Sequence, residues 1–195
     1  MLITLAVAAS AVIALNQAAP AQDFPDQDRT RVSVETYVVE GSTLPELTAA
    51  VIRQAESAST LDDGAASTTI SFEPNLTYEK DGLVCRLGSA AVDLAAIIRL
   101  PEWTTPELGD DEARRAWAWF SAYLRWHEGR HISIAQDYRM RMELQLASLD
   151  PASTCQRLGQ RVVETVESVK QRHLEAQTAF DASERQRSLA LSFGR

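Results

Sequence analysis

The chain has 195 residues, 45% of them hydrophobic, with 27 acidic against 19 basic side chains and a net charge of −8. That length supports a single domain with a genuine core. The negative charge argues against nucleic acid and against anionic membrane surfaces as partners.

Residues 1–21 end an apolar run, Leu2 to Leu15, with a small-x-small pattern at Ala21. This reads as a signal peptide cut near Ala21. The run is short for a membrane span, and a retained N-terminal anchor is the alternative. Residues 22–30 are polar and read as a flexible leader, which leaves 31–195 as one domain with no second run long enough to span a bilayer. Export would place the protein in the periplasm or outside the cell. Cys85 and Cys155 then form an even pair in an oxidising setting, where a disulfide is favoured over two buried thiols.

Residues 31–39, RVSVETYVV, are β-branched and read as a strand. A helix follows, with Thr43 and Glu46 as a capping box and Leu47, Val51 and Ile52 on one face. Residues 68–101 read as two or three strands with Asp81-Gly82 as the turn. Trp103 to Asp111 is a loop punctuated by proline. From about Asp111 to Leu149 the pattern is helical. Phe120, Leu124, His127, His131, Ile134 and Tyr138 recur at steps of four and three, one stripe of a helix. Asp150-Pro151 reads as the start of a last helix, whose stripe is Leu158, Val162, Val166, Val169, His173, Ala176 and Phe180. The expected fold is α+β: a small antiparallel sheet with one short helix, then two long antiparallel helices.

Chemistry concentrates in "WHEGRH", residues 126–131. His127 and His131 lie one turn apart on a helix, so both imidazoles can reach one zinc ion. Glu128 beside them can face a further coordination position and act as general base on zinc-bound water, whose pKa zinc lowers to about 7. The competing reading is two core histidines with an ordinary surface glutamate.

A third ligand is needed for a catalytic site. Asp137, six residues past His131, points some 240° away from it on an unbroken helix, by the roughly 100° step per residue, and is rejected. If the two long helices turn at Asp150, His127 lies 23 residues before the turn and His173 lies 23 after it. His173 is therefore the expected third ligand, with Glu164, Glu167, Asp181 and Glu184 as carboxylate alternatives. Trp117, Trp119, Phe120, Tyr123 and Trp126 crowd the start of the motif helix and could line a substrate cleft or belong to the core.

Five segments together resemble a bacterial family of predicted secreted zinc-dependent proteases whose function is otherwise unknown. They are TYVVEGSTLPEL (36–47), GLVCRLGSAAVDLAAIIRLPEW (82–103), HEGRHISIA (127–135), Cys155 and AQTAFDASERQ (176–186). The resemblance implies His127 and His131 as metal ligands and Glu128 as the base. The family's C-terminal pattern resembles Tyr-Asp-x-x-Thr-x-His-Gly. Here it reads Phe180-Asp181-Ala182-Ser183-Glu184-Arg185-Gln186-Arg187, with Gln186 in place of a histidine that could be the family's third ligand.

The expected function is an exported zinc metallohydrolase, a peptidase acting on a peptide or protein substrate. The departure at Gln186 motivates the alternative, a non-catalytic envelope scaffold or binding protein with a degenerate metal site.

Overall fold

The computed structural model describes residues 29–57 and 64–193, with side chains through residue 186. The readings of residues 1–21 as a signal peptide and 22–28 as a leader lie outside the described residues. The last two residues of the expected leader are ordered: Arg29 pairs with Asp93 at 3.3 Å, and Thr30 opens the first strand.

Strand β1 is Thr30–Val39, helix α1 is Leu44–Ser57, and strands β2 and β3 are Ser67–Asp81 and Val84–Trp103. A 3₁₀ turn at Pro106–Leu108 leads into α2, Asp111–Ala147, and the chain continues into α3, Cys155–Phe193. The result is α+β. Among the described residues, no helix is long and apolar enough to cross a membrane.

The sheet differs from the expected antiparallel one. Its order is β1-β3-β2; β2 pairs with β3 antiparallel, but β1 pairs with β3 parallel, from Thr30 opposite Leu94 to Val39 opposite Trp103. The β2–β3 hairpin was legible because Asp81-Gly82 is a local turn signal. The direction of β1 depends on a strand beyond α1 and β2 in the chain, which no local pattern encodes. The hairpin turns through Gly82 and Leu83, with Gly82 at φ 58°, a conformation that costs glycine little because it has no Cβ.

Helix α1 has Thr43 at its N-cap as expected, with the Thr43 hydroxyl accepting from the Glu46 N–H, and the Glu46 carboxylate reaches back one residue further. The Glu46 carboxylate accepts from the backbone N–H and the hydroxyl of Ser42, at 2.7 and 2.9 Å, while Thr43 Oγ1 is 3.5 Å from the Glu46 N–H. Leu47, Ala50 and Val51 pack with Val39, Trp103 and Ala113. Gly109 is needed beside this cluster, because a Cβ there would meet the Trp103 ring.

Helix α2 starts where Asp110 accepts from the Ala113 N–H at 2.7 Å. Its buried row is Leu124, Glu128, Ala135, Arg139, Met142 and Leu146. That row is rotated from the expected apolar stripe. Two charged residues occupy its centre, and the histidines flank it.

Arg139 is there because it completes the sheet. β1 stops pairing at Leu94, and α2 serves the backbone of Val92. The Val92 N–H donates to Glu143 Oε1 at 2.8 Å, and Arg139 donates to the same oxygen at 3.1 Å and towards the Val92 carbonyl at 3.5 Å. The Arg139 side chain is 3% exposed and that of Glu143 22%. Glu143→Ala removes the carboxylate that a buried cation and a strand N–H share. It should lower stability by about 3 kcal/mol, read as a lower urea midpoint at unchanged slope. A loss under about 1 kcal/mol would mean that the pair does not hold the strand.

The last helix begins later than Asp150-Pro151 suggested. Cys85 and Ala152 exchange both backbone hydrogen bonds, each 2.8 Å, which keeps the chain extended there. A disulfide joins Cys85 to Cys155. α3 starts only after this clamp, capped by Thr154 Oγ1 accepting from the Arg157 N–H at 3.2 Å. Met142, Leu146, Val162, Val166 and Val169 then close over Val92.

Candidate metal centre

The two long helices run antiparallel. Gln145 meets Arg172, Tyr138 meets His173, His131 meets Gln177 and Trp126 meets Phe180. Residue numbers on α3 rise as those on α2 fall. The clamped segment after Asp150 moves the midpoint of the hairpin a few residues beyond it. The residues level with His127 and His131 are therefore Gln177 and Asp181, rather than His173.

Asp181, one of the carboxylate alternatives, closes the site. Its Oδ1 lies 3.2 Å from His127 Nε2 and 3.1 Å from His131 Nε2, and the two nitrogens are 3.1 Å apart. One ligand atom from each of the three residues falls within 4.8 Å of the other two. Three electron-pair donors this close need positive charge among them, either a proton or a metal ion. Two imidazoles and one carboxylate are a donor set that fits a divalent cation of zinc's kind. The surroundings limit how the rings can move. Phe180 packs against both imidazoles, with centroids 4.9 and 5.1 Å away. Among the described residues His127 Nδ1 is buried with no hydrogen-bond partner, and it is Nε2 that faces the group.

His173 lies one turn before Gln177, with its Nε2 2.7 Å from the Gln177 amide nitrogen. Its ring sits edge-on to Phe72 and Tyr138. Burial, and secondarily the nearby His131, hold its pKa below the usual histidine value.

Glu128 is 3% exposed and lines an open cleft of about 930 Å³ together with His127, His131 and Asp181. Thr68, on β2, donates to Glu128 Oε2 at 2.7 Å. Residues 66–68, at the start of β2, form the facing wall of the cleft. Among the described residues, β2 is an edge strand of the sheet.

The aromatic residues divide. Trp117 and Phe120 pack against the α1 cluster, and Tyr123 lines the cleft. Trp119 and Trp126 are 70% and 45% exposed. Asp137 is exposed, as is Gln186. Thr68 and Gln177 were not foreseen. Only the four-residue spacing of His173, Gln177 and Asp181 hinted that Gln177 would share a face with the other two.

The bacterial family described as "Bacterial protein of unknown function (DUF922)" matches residues 34–187. Comparison with curated proteins and with solved structures gives no match. With the match spanning both the sheet and the helix pair that carries His127, His131 and Asp181, the chain belongs to this DUF922 family.

Proposed function

We propose that the protein is a zinc-dependent hydrolase acting on peptide bonds, with His127, His131 and Asp181 holding the ion and Glu128 serving as general base. The observation that carries this reading is the convergence of Asp181 Oδ1 on both imidazole Nε2 atoms at 3.1–3.2 Å, beside a buried glutamate that faces the same cleft. A zinc ion bound there would supply Lewis acidity towards a water molecule and a carbonyl oxygen.

The chain's own groups account for the rest. Thr68 occupies Glu128 Oε2 and leaves Oε1 to take a proton from the attacking water. The water oxygen joins the peptide carbon, and Glu128 returns that proton to the departing nitrogen as the C–N bond breaks. The open edge of β2 would hold an extended substrate through its backbone groups. Export, which would bring the protein to substrates outside the cytoplasm, agrees with the disulfide.

The scaffold alternative rested on Gln186. That residue is exposed, and the closeness of Asp181 to both histidines supports an intact site instead.

The test is metal content. Protein stripped with chelator and dialysed against zinc should retain one zinc per chain. Asp181→Ala should weaken binding by more than the roughly 100-fold typical of outer-shell changes. A stripped protein that takes up no divalent ion, or an alanine variant that binds as tightly as the original, would defeat the proposal.

A further inference from the structure

The row His173, Gln177 and Asp181 follows one face of α3 at four-residue intervals, yet only Asp181 reaches the histidine pair. Gln177 lies between, with its two amide ends in different surroundings. Its nitrogen is 3.1 Å from the backbone carbonyl of His131 and 2.7 Å from His173 Nε2. Its oxygen is 2.6 Å from His131 Nδ1.

A carbonyl oxygen only accepts hydrogen bonds, so the group facing it must be the NH₂ end of the amide. Its two hydrogens are then accounted for, one on the His131 carbonyl and one on His173 Nε2. The amide oxygen can only accept, so His131 Nδ1 must carry the hydrogen between them. A neutral imidazole has one N–H. His131 Nε2 is therefore left with a lone pair, aimed at His127 and Asp181. Flipping the amide would set its oxygen against the His131 carbonyl oxygen, a repulsive pair, and lose that hydrogen bond.

We infer that Gln177 is a positioning residue that latches His131 in the Nδ1–H tautomer, with His173 holding the Gln177 amide in the required orientation. The hydrogen-bond argument stands by itself, while its purpose rests on the proposed metal centre. In the other tautomer His131 would donate Nε2–H to Asp181, satisfying the carboxylate and blocking an ion. Outer partners of ligating histidines select the tautomer in this way. Here the partner is a neutral amide. His173, which the chain spacing suggested as a ligand, instead accepts from that amide. The Phe72 ring at 5.0 Å and the Tyr138 ring at 5.6 Å keep its imidazole in place.

The test separates the latch from the metal. In chelator-stripped protein, nitrogen-15 spectra recorded above the histidine titration range should find His131 protonated at Nδ1. In Gln177→Leu that preference should disappear, and zinc affinity should fall roughly 10–100-fold. Gln177→Glu keeps an acceptor for Nδ1–H but sets its second oxygen against the His131 carbonyl, so it should restore the Nδ1–H preference while recovering zinc affinity only in part. Finding His131 protonated at Nε2 in the stripped protein would overturn the latch even if zinc binds. So would unchanged zinc affinity in Gln177→Leu. An Nδ1–H tautomer in a protein that takes up no zinc would support the latch and defeat the metal reading alone.

Discussion

Glu128→Gln is expected to cut peptide hydrolysis by roughly 10³-fold, within the range that general acid–base groups contribute, while one zinc per chain is retained. The substitution keeps size and shape. The glutamine carbonyl can still accept from the Thr68 hydroxyl that now holds the carboxylate at 2.7 Å, so that hydroxyl is not left without an acceptor. What is lost is the basic oxygen facing the cleft. The loss should fall on kcat with little change in KM, since under the proposed function Glu128 moves the proton and the β2 edge would hold the substrate. Hydrolysis of an unstructured protein, measured beside zinc content, makes the check. A variant with full zinc and an unchanged rate would remove Glu128 from the reaction.

The second large effect is on stability. A Cys85→Ala, Cys155→Ala variant should be less stable by about 4 kcal/mol, the chain-entropy value for releasing a loop of this size. The bridged cysteines are 70 residues apart in sequence, and the loop they close contains most of β3 and all of α2. Alanine is the better replacement because Cys85 is 1% exposed, where a serine hydroxyl would add a desolvation cost of its own. Guanidinium unfolding of the oxidised protein and the double variant would measure the difference. Coincident midpoints would mean that the Cys85–Ala152 backbone bridge already restrains the chain as much as the disulfide does.

The same clamp explains which parts of the site were legible in the sequence. His127, Glu128 and His131 are set by one helix and can be read from spacing alone. The hairpin of β2 and β3 announces itself at Asp81-Gly82, and α2 at Asp110. The third partner depends on how α3 is registered against α2. Symmetry about Asp150 put His173 level with His127, but Ala152 is held extended by Cys85, a residue far off in the chain, and the partner on α3 moves by eight residues, about two turns, to Asp181. Asp181 was available as one of four carboxylates, with nothing local to single it out. The same limit applies to the burial of Glu128 and Arg139. A glutamate or arginine in a helix reads as surface unless Thr68 and Glu143, the groups that satisfy them, are known to be adjacent.

The parallel pairing of β1 carries a consequence for the order of folding. Thr30 meets Leu94 and Val39 meets Trp103, so every contact in that ladder closes a loop of more than 60 residues. The β2–β3 hairpin closes far shorter connections, 32 residues at most between Ser67 and Arg99, while the α2–α3 contacts at the site span 46 to 54. Loop-closure entropy favours the short-range units first. His127, His131 and Asp181 belong to the helix pair, while the cleft also needs the Thr68–Glu128 contact across 60 residues. β1 is then the strand expected to pair last, against a β2–β3 hairpin that closes first.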